Sequence, residues 1–349
     1  MNQQAGNGSL CFSKAPFIMS TASVVGKKEG EGPLKHCFDV IGIDEKFGED
    51  NWEAAESSLQ KEALTLALGK ANRKAKDVRY LFSGDLLGQT IATYFGLKEF
   101  EIPIFGLYGA CSTCGESLSL GAMTIAAGFA DCVAAVTSSH FASAEKQFRF
   151  PLEYANQRPM SATWTVTGGG AFLLASEEKL RQWKQKPIAK ITGITTGKVV
   201  DYGVRDAMNM GAAMAPAASD LIYQHFEDFG TTPKDYDRII TGDLGIVGKE
   251  ILIDLLKQKG YDISGVHEDC GIEIYDGKTQ GTGAGGSGCG CSAVTLSGHY
   301  LKQLQEGRLH KILFVPTGAL LSPISFNEGQ TVPGIAHGVV LERVKEWNM

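Results

Sequence analysis

The chain has 349 residues, 43% hydrophobic and 21% charged, with a formal net charge of −6. That size holds one large domain or two fused ones. No Lys/Arg run exceeds two residues, which argues against a nucleic-acid footprint or unaided docking on an anionic membrane.

The N-terminal stretch MNQQAGNGSLCFSKAPFIMS lacks a basic segment followed by an apolar one, so a signal peptide is not expected. No apolar run approaches the ~20 residues of a membrane span. Eight cysteines in a chain this long fit a reducing compartment better than a disulfide framework. Cys11, Cys37, Cys132 and Cys270 are read as small buried apolar residues.

Trp52, Ala55, Leu59, Ala63 and Leu66 recur at steps of three and four and predict an amphipathic helix. KDVRYLFSGDL (76–86) follows as a buried strand. IFGLYGACSTCG then delivers Cys111 to a predicted helix start, with Cys114 three residues on. CVAAVTSS (132–139) reads as the next buried strand, and VTGGGAFLLAS (166–176) as a Gly-rich turn entering another.

The same series then repeats. ASDLIYQHFEDFG carries a second apolar stripe, and KDYDRIITGDL (234–244) echoes 76–86. Cys111, Ser112, Ser117 and Thr137 match Cys291, Ser292, Ser297 and Thr317 at one offset. GIAHGVVLER (334–343) echoes 166–176. Three echoes in order predict two α/β halves, 1–182 and 183–349, packed about a pseudo-twofold axis.

With that duplication the chain resembles the thiolase superfamily. GPLKHCFD, NWEAAE, GDLLGQT, GACST, SSHFASAEKQFRFPLEY, MGAAMAPAASD, HEDCGIEIY, GGSGCGCSAV, TGALLSP and IAHGVVLER, spread from residue 32 to 343, resemble the stage V sporulation protein AD family. The resemblance implies a duplicated thiolase fold, five-layer α-β-α-β-α with two mixed sheets. It implies a spore protein that binds dipicolinic acid and supports its uptake during sporulation and its release in germination. It further implies a homodimer, paired through an edge strand of the first-half sheet, with CVAAVTSS or its neighbour the expected edge. Other stage V sporulation A proteins are the implied partners, holding the chain peripherally at the spore inner membrane. No cofactor or metal is implied.

In thiolase-type catalysis a Cys thiolate attacks a thioester while imidazoles and an oxyanion hole manage protons and charge. The nucleophile position matches Cys111. The first partner His aligns with Gly242 or Asp243, and the second with Cys289, next to Ser287. The expected histidines are therefore missing, and a ligand-holding role is favoured over condensation. The alternative is an acyltransferase or other acyl-thioester enzyme using Cys111. A redox pair of Cys111 and Cys114, and a zinc site built from CSTC and CGC, are further readings of the same cysteines.

A dicarboxylate ligand calls for cationic or N–H donors. The candidate ligand residues are Cys111, Asp85, His140, Arg149, Asp243, Cys289, His337 and Lys28. Asp85 and Asp243 stand at matching strand ends, KQFRF offers Lys146 and Arg149 beside His140, Lys28 follows the first strand, and His337 lies in the turn before the last strand.

Overall fold

A computed structural model describes residues 3–147, 158–345 and Trp347. Arg149 lies outside the described residues.

Ten strands carry the architecture. In the first half they are β1 (Phe17–Val25), β2 (Tyr80–Gly84), β3 (Ile104–Gly106), β4 (Cys132–Ser139) and β5 (Gly168–Ala175). In the second they are β6 (Ala189–Thr196), β7 (Arg238–Thr241), β8 (His267–Asp269), β9 (Lys311–Val315) and β10 (Gly334–Arg343). The spatial order is β1-β5-β4-β2-β3 and β6-β10-β9-β7-β8, the same permutation twice. In each half the first three strands alternate antiparallel and the last three run parallel. The five-layer duplicated fold expected from the sequence is present. The two sheets also touch, through a two-residue antiparallel joint where Ile18 meets Ala189 and Phe17 meets Lys190.

The helices include, in chain order, α1 (Trp52–Lys70), α2 (Ile91–Leu97), α3 (Thr113–Ala126), α4 (Phe141–Glu145), α5 (Glu177–Trp183), α6 (Met210–Phe229), α7 (Gly245–Gln258), α8 (Cys270–Ile274) and α9 (Cys289–Thr295). Asn51 caps α1 by accepting from the Ala54 N–H at 2.9 Å. Its apolar stripe, Ala55, Leu59, Ala63, Leu64 and Ala67, is buried on the first sheet. α6 covers the second sheet from the opposite side, with α7 packed on it. Between the sheets lie α3 and α9. α3 packs on β4 and β2 and also reaches β10, while α9 packs on β4 and β5 of the first sheet. Buried small residues such as Gly115, Gly121 and Ala122 let α3 fit between two sheets.

Two expectations are corrected. CVAAVTSS is β4, hydrogen-bonded to β5 on one side and β2 on the other, so it is an interior strand, and its neighbours are interior too. The first sheet ends at β3, where Phe105 is 52% exposed. A strand buried on both faces and paired on both edges becomes uniformly apolar, and that pattern marks the centre of a mixed sheet. Cys11 is exposed and Cys37 only half-buried, because Cys11 ends a short strand that pairs with β6 at the surface; Cys132 and Cys270 are buried as expected.

Candidate functional site

β3 runs through Leu107–Gly109 into a tight turn, Ala110–Ser112, that opens α3. The turn is locked by its own side chains. The Ser112 hydroxyl donates to the Gly109 carbonyl at 2.6 Å, and the Thr113 hydroxyl donates to the Ala110 carbonyl at 2.7 Å. Ala110 takes φ +50°, the left-handed region, which costs a residue with a Cβ on the order of 1 kcal/mol. The short strand Thr317–Ala319 presses against this turn. A Cβ on Gly318 would lie 2.2 Å from the Gly109 carbonyl oxygen, so only glycine permits that approach.

Cys111 is buried at the mouth of α3, its Sγ 3.9 Å from the Ser287 hydroxyl. Ser287 sits in a two-residue ladder with Trp164–Thr165, on the turn that enters α9. Its hydroxyl donates to Asp243 Oδ2 at 3.0 Å, and the Gly288 N–H donates to the same oxygen at 2.8 Å. The other Asp243 oxygen is buried without a hydrogen-bond partner among the described residues. Burial pushes the Asp243 carboxyl up to about 7, against the interaction with Cys111 and the Gly288 and Ser287 bonds, which favour the anion. Burial, and after it the Asp243 carboxylate, push the Cys111 thiol well above its ordinary value. The start of a 14-residue helix favours a thiolate, but here burial and a neighbouring carboxylate oppose it. An imidazole at the Asp243 position would draw the thiol down; a carboxylate drives it up.

In front of Cys111 opens a cavity of about 430 Å³. Its walls combine apolar side chains, such as Leu86, Met210 and Leu321, with neutral hydrogen-bonding groups, such as Tyr108, Gln89 and Gln147. Among its described lining residues there is no Lys, Arg, His, Asp or Glu. One wall is the loop after β2, where Gln89 and Thr90 both adopt left-handed φ, +58° and +49°.

The structure gathers Cys111, Asp243 and Cys289 at the adjoining starts of α3 and α9. The Cys289 thiol faces the Ser138 carbonyl at 3.0 Å, and burial raises it well above its ordinary value. Asp85 lies behind the cavity wall. Its carboxylate accepts the Leu87 N–H at 2.7 Å, and the Thr93 N–H and hydroxyl at 2.8 and 2.6 Å, so it holds the loop carrying Leu86–Thr90. Burial raises its carboxyl despite those bonds. His337 is on β10, its backbone against Gly115 one turn inside α3; it does not line the cavity, and burial depresses its imidazole to about 4. His140 and Lys28 line a different cavity, of about 510 Å³, walled by Trp52 and Trp164. There His140 Nε2 donates to the Glu45 carbonyl at 2.8 Å and Nδ1 accepts from the Ala142 N–H at 3.1 Å, capping α4. Lys28 donates to the Gln280 carbonyl at 2.7 Å and stands 4.3 Å over the Trp164 ring. The cations expected around Cys111 are thus elsewhere among the described residues, because α4 runs between the two cavities with Ala142 in one wall and Ala144 in the other. Tyr108, Gln89, Thr90 and Gln147 escaped the sequence reading. Tyr108, three residues before Cys111 on the same turn, was the one within reach of it.

Among the described residues no group of three His, Cys, Asp or Glu is placed to hold a metal ion.

Residues 6–342 match the family model described as Stage V sporulation protein AD. The chain is 44% identical over 339 residues to Stage V sporulation protein AD of Bacillus subtilis (strain 168), covering 97% of each chain. Its fold is similar to human mitochondrial 3-ketoacyl-CoA thiolase in complex with CoA, with a TM-score of 0.59 at 14% identity over 96% of this chain and 99% of that one. A second crystal structure of the same thiolase gives 0.58 at 12% identity over 95% and 99%.

Proposed function

The chain belongs to the Stage V sporulation protein AD family, and from that premise we propose that it holds dipicolinic acid in the cavity beside Cys111. In this role it supports dipicolinate uptake during sporulation and its release in germination. The observation that carries the reading is the carboxylate at Asp243. A thiol beside a buried carboxyl is held protonated, which disables the nucleophile while leaving a cavity built for an acyl-sized guest. A flat aromatic ring suits apolar walls, and its carboxylates suit the hydroxyl and amide donors and the N-terminal end of α3. With no cation among the described lining residues, the ligand's charge is met by protonation. An anion next to Asp243 raises that carboxyl further and is bound together with a proton.

In this reading the protein works at the spore inner membrane through other stage V sporulation A proteins. Among the described residues no helix is long and apolar enough to cross a membrane. The homodimer pairs through β3, which among the described residues is bonded to β2 alone.

Isothermal calorimetry with dipicolinate tests the reading. Saturable heat is expected, with proton uptake revealed by repeating the titration in buffers of different ionisation enthalpy. No heat at millimolar dipicolinate overturns it. Incubation with acyl-CoA is expected to leave Cys111 without a mass adduct, and an adduct would favour the acyltransferase alternative.

A further inference from the structure

At the corner where the halves join lies a cleft of about 530 Å³ that shares no lining residue with the Cys111 cavity. Its floor is one cross-strand row: Phe17 on β1, Lys190 on β6, Glu342 on β10 and Lys311 on β9. Side chains at paired positions point to the same face, so this row is fixed by register. Glu342 stands 3.1 Å from Lys190 and 3.8 Å from Lys311, so one carboxylate serves two ammonium groups. Glu177 is taken by Arg181 at 2.7 Å. Arg343, Val344, Lys345 and His310, the last 3.7 Å from Asp237, complete the lining, and neither Arg343 nor Lys345 is in an ion pair among the described residues. Five Lys and Arg side chains therefore face two carboxylates, in a chain whose net charge is −6. Trp347 forms one wall, 5.3 Å from the Phe17 ring, with the Arg181 guanidinium 4.9 Å from its own ring.

A concentrated positive excess in a half-enclosed cleft draws in a multiply charged anion. Lys190 and Lys311 are only about one-third exposed, so their charge is less screened than that of a free surface lysine. The Arg343 guanidinium fork beside the Lys190, Lys311 and Lys345 heads matches the many acceptor oxygens of phosphate. We infer that this cleft binds a phosphate-bearing anion, either free in solution or as the headgroup of an anionic lipid.

The test uses the full chain at low salt. Inorganic pyrophosphate is titrated by calorimetry and by tryptophan emission, with Trp347→Phe identifying the reporter. Cosedimentation with phosphatidylglycerol vesicles is compared with phosphatidylcholine vesicles. The double variant Arg343→Ser/Lys345→Ser is expected to keep its circular dichroism and to lose at least tenfold in affinity; Lys311→Gln is the second variant, with a loss in the same direction. Pyrophosphate binding without vesicle binding assigns the free anion, and selective phosphatidylglycerol binding assigns the headgroup. If the wild-type chain binds neither, or if both variants bind as well as wild type, the inference is wrong.

Discussion

Replacing Asp243 by Asn tests the reasoning at its centre. The amide keeps an oxygen for the Ser287 hydroxyl and the Gly288 N–H, so the local geometry has every reason to persist. What changes is the charge. In the native chain burial holds this carboxyl near 7, against an ordinary 3.8. A carboxyl with a raised native value takes up a proton on folding, so the native state loses stability as pH climbs from near 4 to about 7. The slope is about 1.4 kcal/mol per pH unit, and Asn has no such term. Urea denaturation at pH 5 and pH 7, where the native carboxyl is half ionised, should therefore show the stability difference between variant and wild type moving in the variant's favour by about 2 kcal/mol. The same substitution removes the carboxylate beside Cys111, so the thiol should alkylate with iodoacetamide several-fold faster at pH 8. A stability difference that stays constant across this pH range would refute the electrostatic account, whatever its absolute size.

Other outcomes follow from the same site. Dipicolinate affinity should fall up to tenfold per pH unit above about 7, as Asp243 ionises in the free protein, and the calorimetric pH profile of Asp243→Asn should be flatter. Asp85→Ala strips the partners of two buried N–H groups and a hydroxyl; a loss of about 2–4 kcal/mol in urea melts is expected, with weaker dipicolinate binding as the Leu86–Thr90 wall loosens. Gly318→Ala drives a methyl into the Gly109 carbonyl and should cost at least about 2 kcal/mol while displacing Cys111, read as lost dipicolinate affinity. Glu56, buried under the Ser138 and Ser143 hydroxyls and pushed up to about 8, should make Glu56→Gln gain on wild type between pH 5 and pH 8, by about 4 kcal/mol at most in urea melts.

Much of this architecture was legible because duplication leaves paired signals. The strands of KDVRYLFSGDL and KDYDRIITGDL are β2 and β7, which hold the same place in their sheets. The aligned cysteines led to α3 and α9, because small residues are what two helices caught between sheets require. Edge and centre were harder to separate. β4 and β3 differ in whether a further strand pairs with them, which depends on contacts distant in sequence. The site was legible where it follows strand ends, as at Asp243, and illegible where it depends on rotation about an axis. His140 lies one residue past β4, yet its ring turns to cap α4 and faces the second cavity. Nothing in the residue types of Gln89 and Thr90 marks a left-handed pair, since neither is glycine; bonds that Asp85 accepts from Leu87 and Thr93, on either side of them, hold the loop in that form.

The placement of α3 has a consequence for how the chain is made. This helix is complete by residue 126, but one of the surfaces it lies against is β10, residues 334–343. About 200 residues must still be synthesised before that surface exists, which at typical elongation rates means on the order of tens of seconds. Until then the Cys111 turn sits at the end of a helix with one apolar side uncovered. The first half emerging from the ribosome is thus an incomplete body, and the cavity in front of Cys111, walled in part by Ala319 and Leu321, forms only when nearly the whole chain has been translated.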